Sequence, residues 1–212
     1  TYSGPDNAAA SVSGNCLDKA GNQGSSALPL RYDATGPQAT ATPSRQPANG
    51  WYNAPLTVSF AGSDPVSGLA SCPAPKTYGG PDAAAAVVSG TCLDNAGNGG
   101  LASLALKYDA TAPVATASPS RAPNGNGWFK APLLVNFTGS DLTSGIDSCD
   151  AAKSYGGPDT AAASLSGSCR DRAGNPSASA SYTLKYDATD PVVTHGVPIR
   201  PPDHDGWYNR PI

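Results

Sequence analysis

The chain has 212 residues, among them 24 Gly and 21 Pro, with a formal net charge of -3 and no Met. It also lacks Glu and any basic run, which removes most strong helix formers and leaves no electrostatic reason for a nucleic-acid or anionic-membrane partner. No stretch reaches the roughly 18 apolar residues of a membrane span and no signal peptide is visible, so the expectation is a soluble stretch, either mature or a fragment.

The chain repeats itself. Tyr32 opens YDATGP, Tyr108 opens YDATAP and Tyr186 opens YDATDP, while Trp51, Trp128 and Trp207 head GWYN, GWFK and GWYN, a period of about 77 residues. That is the size of a small domain. Residues 1–35 read as the C-terminal part of a repeat, 36–111 and 112–189 as complete repeats, and 190–212 as the N-terminal part of another. Thr1 falls in register with Thr77, and Pro211 and Ile212 with Pro55 and Leu56, so the expectation is a window on a longer array.

Within a repeat, LTVSF (Leu56–Phe60) and LLVNF (Leu133–Phe137) alternate apolar with polar residues and predict half-buried strands. GSDPVSG and GSDLTSG follow, turn clusters in which Asp64 and Asp141 are placed to accept backbone N–H groups. A short strand leads to the first cysteine, and Gly79-Gly80-Pro81 or Gly156-Gly157-Pro158 marks the next reversal. The Ala-rich AAAAVVSGTCLD and AAASLSGSCRD predict strands despite the helix propensity of Ala, because Gly90 and Gly167 interrupt them and large apolar residues do not recur at helical spacing. After the AGN turn, Leu104, Leu106 and Tyr108, and likewise Tyr182, Leu184 and Tyr186, define the inward face of a last strand. Six or seven short strands with a turn every 8 to 12 residues predict a two-sheet sandwich or barrel. Each repeat then passes to the next through YDAT-x-P, where Pro37, Pro113 or Pro191 fixes φ and makes the connection short and stiff.

Cys72 and Cys92, and again Cys149 and Cys169, stand 20 residues apart. Paired as disulfides inside each repeat, each would stabilise a small domain by roughly 3 kcal/mol in the chain-entropy model, and would place the protein in an oxidising compartment. Zinc is disfavoured by the absence of C-x-x-C and of His beside either pair. Cys16 aligns with Cys92 and Cys169, so its expected partner lies outside the given chain; a free thiol is the alternative.

The order GWYN-x-P, strand, D-x-x-SG, two cysteines, D-x-AGN and Y-x-YD-x-T-x-P resembles the tandem Ig-like repeats of bacterial secreted and cell-surface proteins. Gly50, Trp51, Asp64, Ser67, Gly68, Asp94, Ala96, Gly97, Asn98, Tyr108, Asp109 and Pro113 carry the likeness, with counterparts in the next repeat. It implies an all-β chain of Ig-like sandwiches acting outside the cell as spacer, stalk or adhesive module. The repeats here are short for that family and carry a cysteine pair.

No catalytic signature is present. His195 and His204 occur only in the final partial repeat and read as solvated loop residues, and no nucleophile elbow, P-loop or dinucleotide fingerprint occurs. Asp64, Asp94, Asp109, Asp141, Asp171 and Asp187, with Asp33, lie in turns or at repeat junctions and are calcium candidates. Calcium takes about six to eight oxygens, however, and no dense D-x-D-x-D run exists, so backbone capping is the reading preferred and no cofactor is assigned. Thermal melting with and without chelator separates the two. Trp51, Trp128 and Trp207 are read as packing residues rather than sugar-stacking platforms. Asn136-Phe137-Thr138 matches a glycosylation sequon inside a predicted strand, and Arg45, Arg121 and Arg200 recur in the loop before each Trp, where a surface contact to the neighbouring repeat's aspartates is the expectation.

The sequence therefore predicts an end-to-end rod of Ig-like sandwiches: a structural, non-enzymatic stalk, fibre or filament on a bacterial surface. Its expected partners are copies of itself, in tandem or through strand addition at the chain ends, with a surface glycan or protein at the tip. An adhesin or carbohydrate-binding accessory module is the second reading.

Overall fold

The structure is a computed structural model describing residues 1–211; Ile212, and the strand start expected there, lie outside the described residues. Sixteen strands follow one another with no helix among the described residues: β1 (Asn7–Leu17), β2 (Gln23–Tyr32), β3 (Gln38–Pro43), β4 (Leu56–Ser63), β5 (Leu69–Ser71), β6 (Lys76–Tyr78), β7 (Ala83–Asp94), β8 (Gly99–Tyr108), β9 (Val114–Pro119), β10 (Trp128–Phe129), β11 (Leu133–Ser140), β12 (Ile146–Cys149), β13 (Lys153–Tyr155), β14 (Thr160–Gly167), β15 (Cys169–Asp171) and β16 (Ala180–Tyr186). The Ala-rich segments are strands β7 and β14.

In residues 36–111 one sheet has the order β3-β4-β6 and the other β5-β7-β8. In 112–189 the corresponding sheets are β13-β11-β9 and β10-β16-β14, with β12-β15 as a separate pair. The alternation read from the sequence sets the packing: Leu56, Val58 and Phe60 of β4 point inward against Val88, Leu106 and Tyr108 from the facing sheet. Leu133, Val135 and Phe137 of β11 meet Leu184 and Tyr186 in the same way. These are Ig-like β-sandwiches, each with its own core. Residues 1–35 contribute only the β1–β2 hairpin, and residues 190–211 form no extended strand, only a bridge between His204 and Trp207.

Glycine makes room for an aromatic ring of the facing sheet in both repeats. A Cβ at Gly167 would lie 2.6–2.8 Å from three atoms of the Phe137 ring, and one at Gly90 would lie 3.1 Å from two atoms of the Phe60 ring. Small residues at these points let a large ring fill the interior of a thin sandwich. Cys72 bonds to Cys92 and Cys149 to Cys169, with Cα atoms 4.1 and 3.9 Å apart, and Cys92 and Cys169 are buried in the sandwich. Cys16 is exposed and free.

The repeats differ after the AGN turn. β8 begins at Gly99 and pairs with β7 along its length, but the second repeat has Pro176 where the first has Gly99. Proline has no N–H to give the ladder. Ser177 takes over instead, its Oγ accepting the Cys169 N–H at 2.9 Å and its own N–H donating to the Cys169 carbonyl, and β16 starts only at Ala180.

Candidate functional site at the junctions between repeats

Asp109 ends the last strand of its repeat and begins the connection to the next. Its N–H donates to the Tyr52 carbonyl at 2.9 Å, which fixes it to its own sandwich, while its Oδ2 accepts the N–H of Ser144 from the following repeat at 3.0 Å. Asp33 repeats the forward contact, accepting the Ser67 N–H at 3.1 Å.

Ser67 and Ser144 are presented by the D-x-x-SG turns. Asp64 Oδ1 accepts the N–H groups of Val66, Ser67 and Gly68 at 3.0, 2.8 and 3.0 Å, and Asp141 Oδ1 those of Thr143, Ser144 and Gly145 at 3.1, 2.9 and 2.9 Å. Only a short side-chain acceptor folds the backbone back this tightly, and Gly68 (φ 80°) and Gly145 (φ 75°) complete the turn in the left-handed region.

The D-x-AGN turn supplies the third part. Asp94 and Asp171 each accept the backbone and side-chain N–H groups of Asn98 and Asn175. The same Asn175 Nδ2 donates to the carbonyls of Asp109 at 2.9 Å and Thr111 at 3.2 Å, and Asn98 Nδ2 to those of Asp33 at 3.1 Å and Thr35 at 3.4 Å. One amide thus holds the linker to the next repeat at both junctions.

A second clasp secures the linker to the repeat it leaves. Asp82 Oδ1 accepts the Ala110 N–H at 2.9 Å and its Oδ2 the Thr111 hydroxyl at 2.5 Å; Asp159 does the same with Ala188 and Thr189, and Asp6 with Ala34 and Thr35. The Thr hydroxyl and then the Ala N–H hold the carboxyls of Asp6, Asp82 and Asp159 below their ordinary values. The sequence reading missed these three aspartates, although GPD recurs in every repeat and signalled them.

Of the calcium candidates, Asp64 and Asp94 converge with Asp33, and Asp141 and Asp171 with Asp109, each group offering three carboxylate oxygens within 4.8 Å of one another. Asp187 joins neither group: it accepts the Thr189 N–H at 3.0 Å in the last YDAT segment. Asp109 and Asp171 are completely buried, and no Lys or Arg forms an ion pair with either group among the described residues. Burial pushes the Asp109 carboxyl above its ordinary value despite its hydrogen bond with Ser144. Burial acts the same way on Asp94, but the amides of Asn98 outweigh it and hold that carboxyl low. At the second junction every carboxylate oxygen except Asp141 Oδ2 accepts a hydrogen bond.

The arginines do not reach across to a neighbouring repeat's aspartates. Arg45 donates to Asn53 Oδ1 at 3.3 Å, Arg121 donates to the Ala131 carbonyl and lies over the Phe129 ring, and Arg200 pairs with Asp203 at 2.7 Å. Their reach is local because each lies on the loop that turns back into its own GW segment. Trp51 is buried beneath Lys107 and Trp128 half-buried beneath Lys185, whereas Trp207 is 78% exposed. His195 and His204 are exposed; Asn136 faces outward between buried Val135 and Phe137.

No family model matches the chain, and no curated protein matches it. Among solved structures it is similar to the fibronectin(III)-like modules of Clostridium thermocellum CbhA, at 11% identity over 74% of this chain and 100% of that one, with a TM-score of 0.33.

Proposed function

We propose that the chain is an extracellular structural array whose repeats are coupled end to end into a rod, serving as a stalk, fibre or filament on a bacterial surface. The observation that carries this is the junction: Asn98 and Asn175 each bind two linker carbonyls and a carboxylate of their own turn, while Asp33 and Asp109 grip the next repeat's Ser. A linker tied at both ends leaves few free dihedrals, which opposes bending. The two disulfides support an oxidising compartment.

Small-angle scattering tests the reading. A rod cross-section with a maximum dimension unchanged by salt is expected, whereas an ensemble of freely hinged repeats overturns it. The binding-module alternative predicts glycan-array binding that disappears on Trp128→Ala; with Lys185 lying 5.9 Å from the Trp128 ring centroid, that face is already occupied.

A further inference from the structure

We infer that Asn98, with Gly99 after it, is a deamidation site gated by the junction it closes, and that its reaction turns a stiff connection into a permanent hinge. The inference rests on the rod reading above and names the covalent change that would end the stiffness.

The two complete repeats share the D-x-AGN turn but differ in the residue that follows it: Asn98 precedes Gly99, and Asn175 precedes Pro176. In deamidation the backbone nitrogen of the following residue attacks the side-chain Cγ. Its N–H proton and the side-chain NH₂ leave together as ammonia, and water then opens the succinimide ring to aspartate or isoaspartate. Glycine serves this step well because no side chain crowds the ring, whereas a proline nitrogen has no proton to lose. Asn22, at the same place in the first hairpin, precedes Gln23. Of the three turns, Asn98 alone has the reactive neighbour.

The seated junction withholds the amide. Asn98 Nδ2 donates to Asp94 Oδ2 at 2.9 Å, to the Asp33 carbonyl at 3.1 Å and to the Thr35 carbonyl at 3.4 Å. Ring closure has to swing Cγ onto the Gly99 nitrogen and breaks these bonds, so the reaction waits until the linker lifts from the turn. Water is at hand, with Asn98 half-buried and Gly99 exposed. Each bending excursion that frees the amide gives the reaction an opening, and the conversion is irreversible.

The product cannot seat again. A carboxylate only accepts hydrogen bonds, and at position 98 it would face Asp94 Oδ2 and the two linker carbonyls, so that contacts which now attract would repel. It would also join Asp33, Asp64 and Asp94, whose carboxylate oxygens already lie within 4.8 Å of one another. Isoaspartate further inserts a methylene into the backbone of the turn. The second junction, closed by Asn175 before Pro176, keeps its clasp.

Incubating the whole chain at mildly alkaline pH, its Cys16 thiol alkylated, and mapping peptides for aspartate and isoaspartate tests this, with exposed Asn49 before Gly50 as the reference. Asn98 should convert more slowly than Asn49 in the native chain and at a matching rate in urea, while Asn175 stays intact. Asp33→Ala removes the bond from the Ser67 N–H but keeps the carbonyl that Asn98 binds, and should speed conversion of Asn98 about tenfold. Asn98→Asp, with spin labels on Cys16 and on Ala105→Cys, should broaden the distance distribution across the first junction. Native conversion of Asn98 as fast as Asn49, no acceleration by Asp33→Ala, or an Asn98→Asp junction as narrow as the parent's overturns the inference. A narrow parent distribution leaves the rod reading standing through any of these results, whereas a broad parent distribution overturns that reading and the gating with it.

Discussion

The sharpest test of the packing is Gly167→Ala. Gly167 has no positive φ, so its backbone accepts any residue, and replacing Gly by Ala in a strand would ordinarily stabilise by about 0.5–1 kcal/mol. Here the new methyl would lie 2.6–2.8 Å from Cγ, Cδ1 and Cδ2 of Phe137, a residue only 6% exposed in the core of its repeat. Overpacking of this kind costs about 1–3 kcal/mol, so the net expectation is a loss of about 0.5–2 kcal/mol. Urea unfolding followed by Trp128 fluorescence in a Trp51→Phe/Trp207→Phe background reads this repeat alone. In a Phe137→Leu background the same substitution should cost less, giving a coupling that a double-mutant cycle isolates. A Gly167→Ala chain as stable as its parent, or a cycle with no coupling, would refute the packing argument.

Further expectations follow from the junctions and staples. Asn175→Ala removes the donor shared by the Asp109 and Thr111 carbonyls and should cost about 1–3 kcal/mol and loosen the second junction, visible as a broader distance distribution between spin labels on the two repeats. Thr111→Val should raise the Asp82 carboxyl toward its ordinary value in an NMR titration. Because the folded-state value is lowered, the stabilisation from Asp82 is complete above the ordinary carboxylate range and fades as pH falls through the folded value; the variant's deficit at neutral pH should vanish in acid, and a pH-independent deficit would contradict the assignment. Replacing Cys149 and Cys169 by Ala should lower stability by roughly 3 kcal/mol in denaturant, with no change in the first repeat.

Most of the sandwich was legible because its signals are local. Alternation at Leu56–Phe60 and Leu133–Phe137 names the inward faces directly, and equal cysteine spacing in two repeats needs no tertiary information. The junction was legible in part. Asp64 and Asp141 cap turns only two to four residues away, so turn chemistry exposes them, but the grip of Asn98 on Asp33 spans 65 residues and depends on how two sandwiches meet. Asp82 was missed for the same reason: its partner Thr111 is 29 residues distant. The arginines were misjudged because recurrence shows that a residue has a fixed task and says nothing of its range; Arg45 reaches only eight residues, to Asn53.

The Cys72–Cys92 bond also governs how the chain responds to tension. A sandwich pulled from its ends can unravel only outside the covalent loop, so the 20-residue span between the sulfurs stays locked. That withholds roughly 70 Å of extension for each opened unit. An oxidised tether would give way in short steps and recoil from a partly coiled state, and a reductant would lengthen every step.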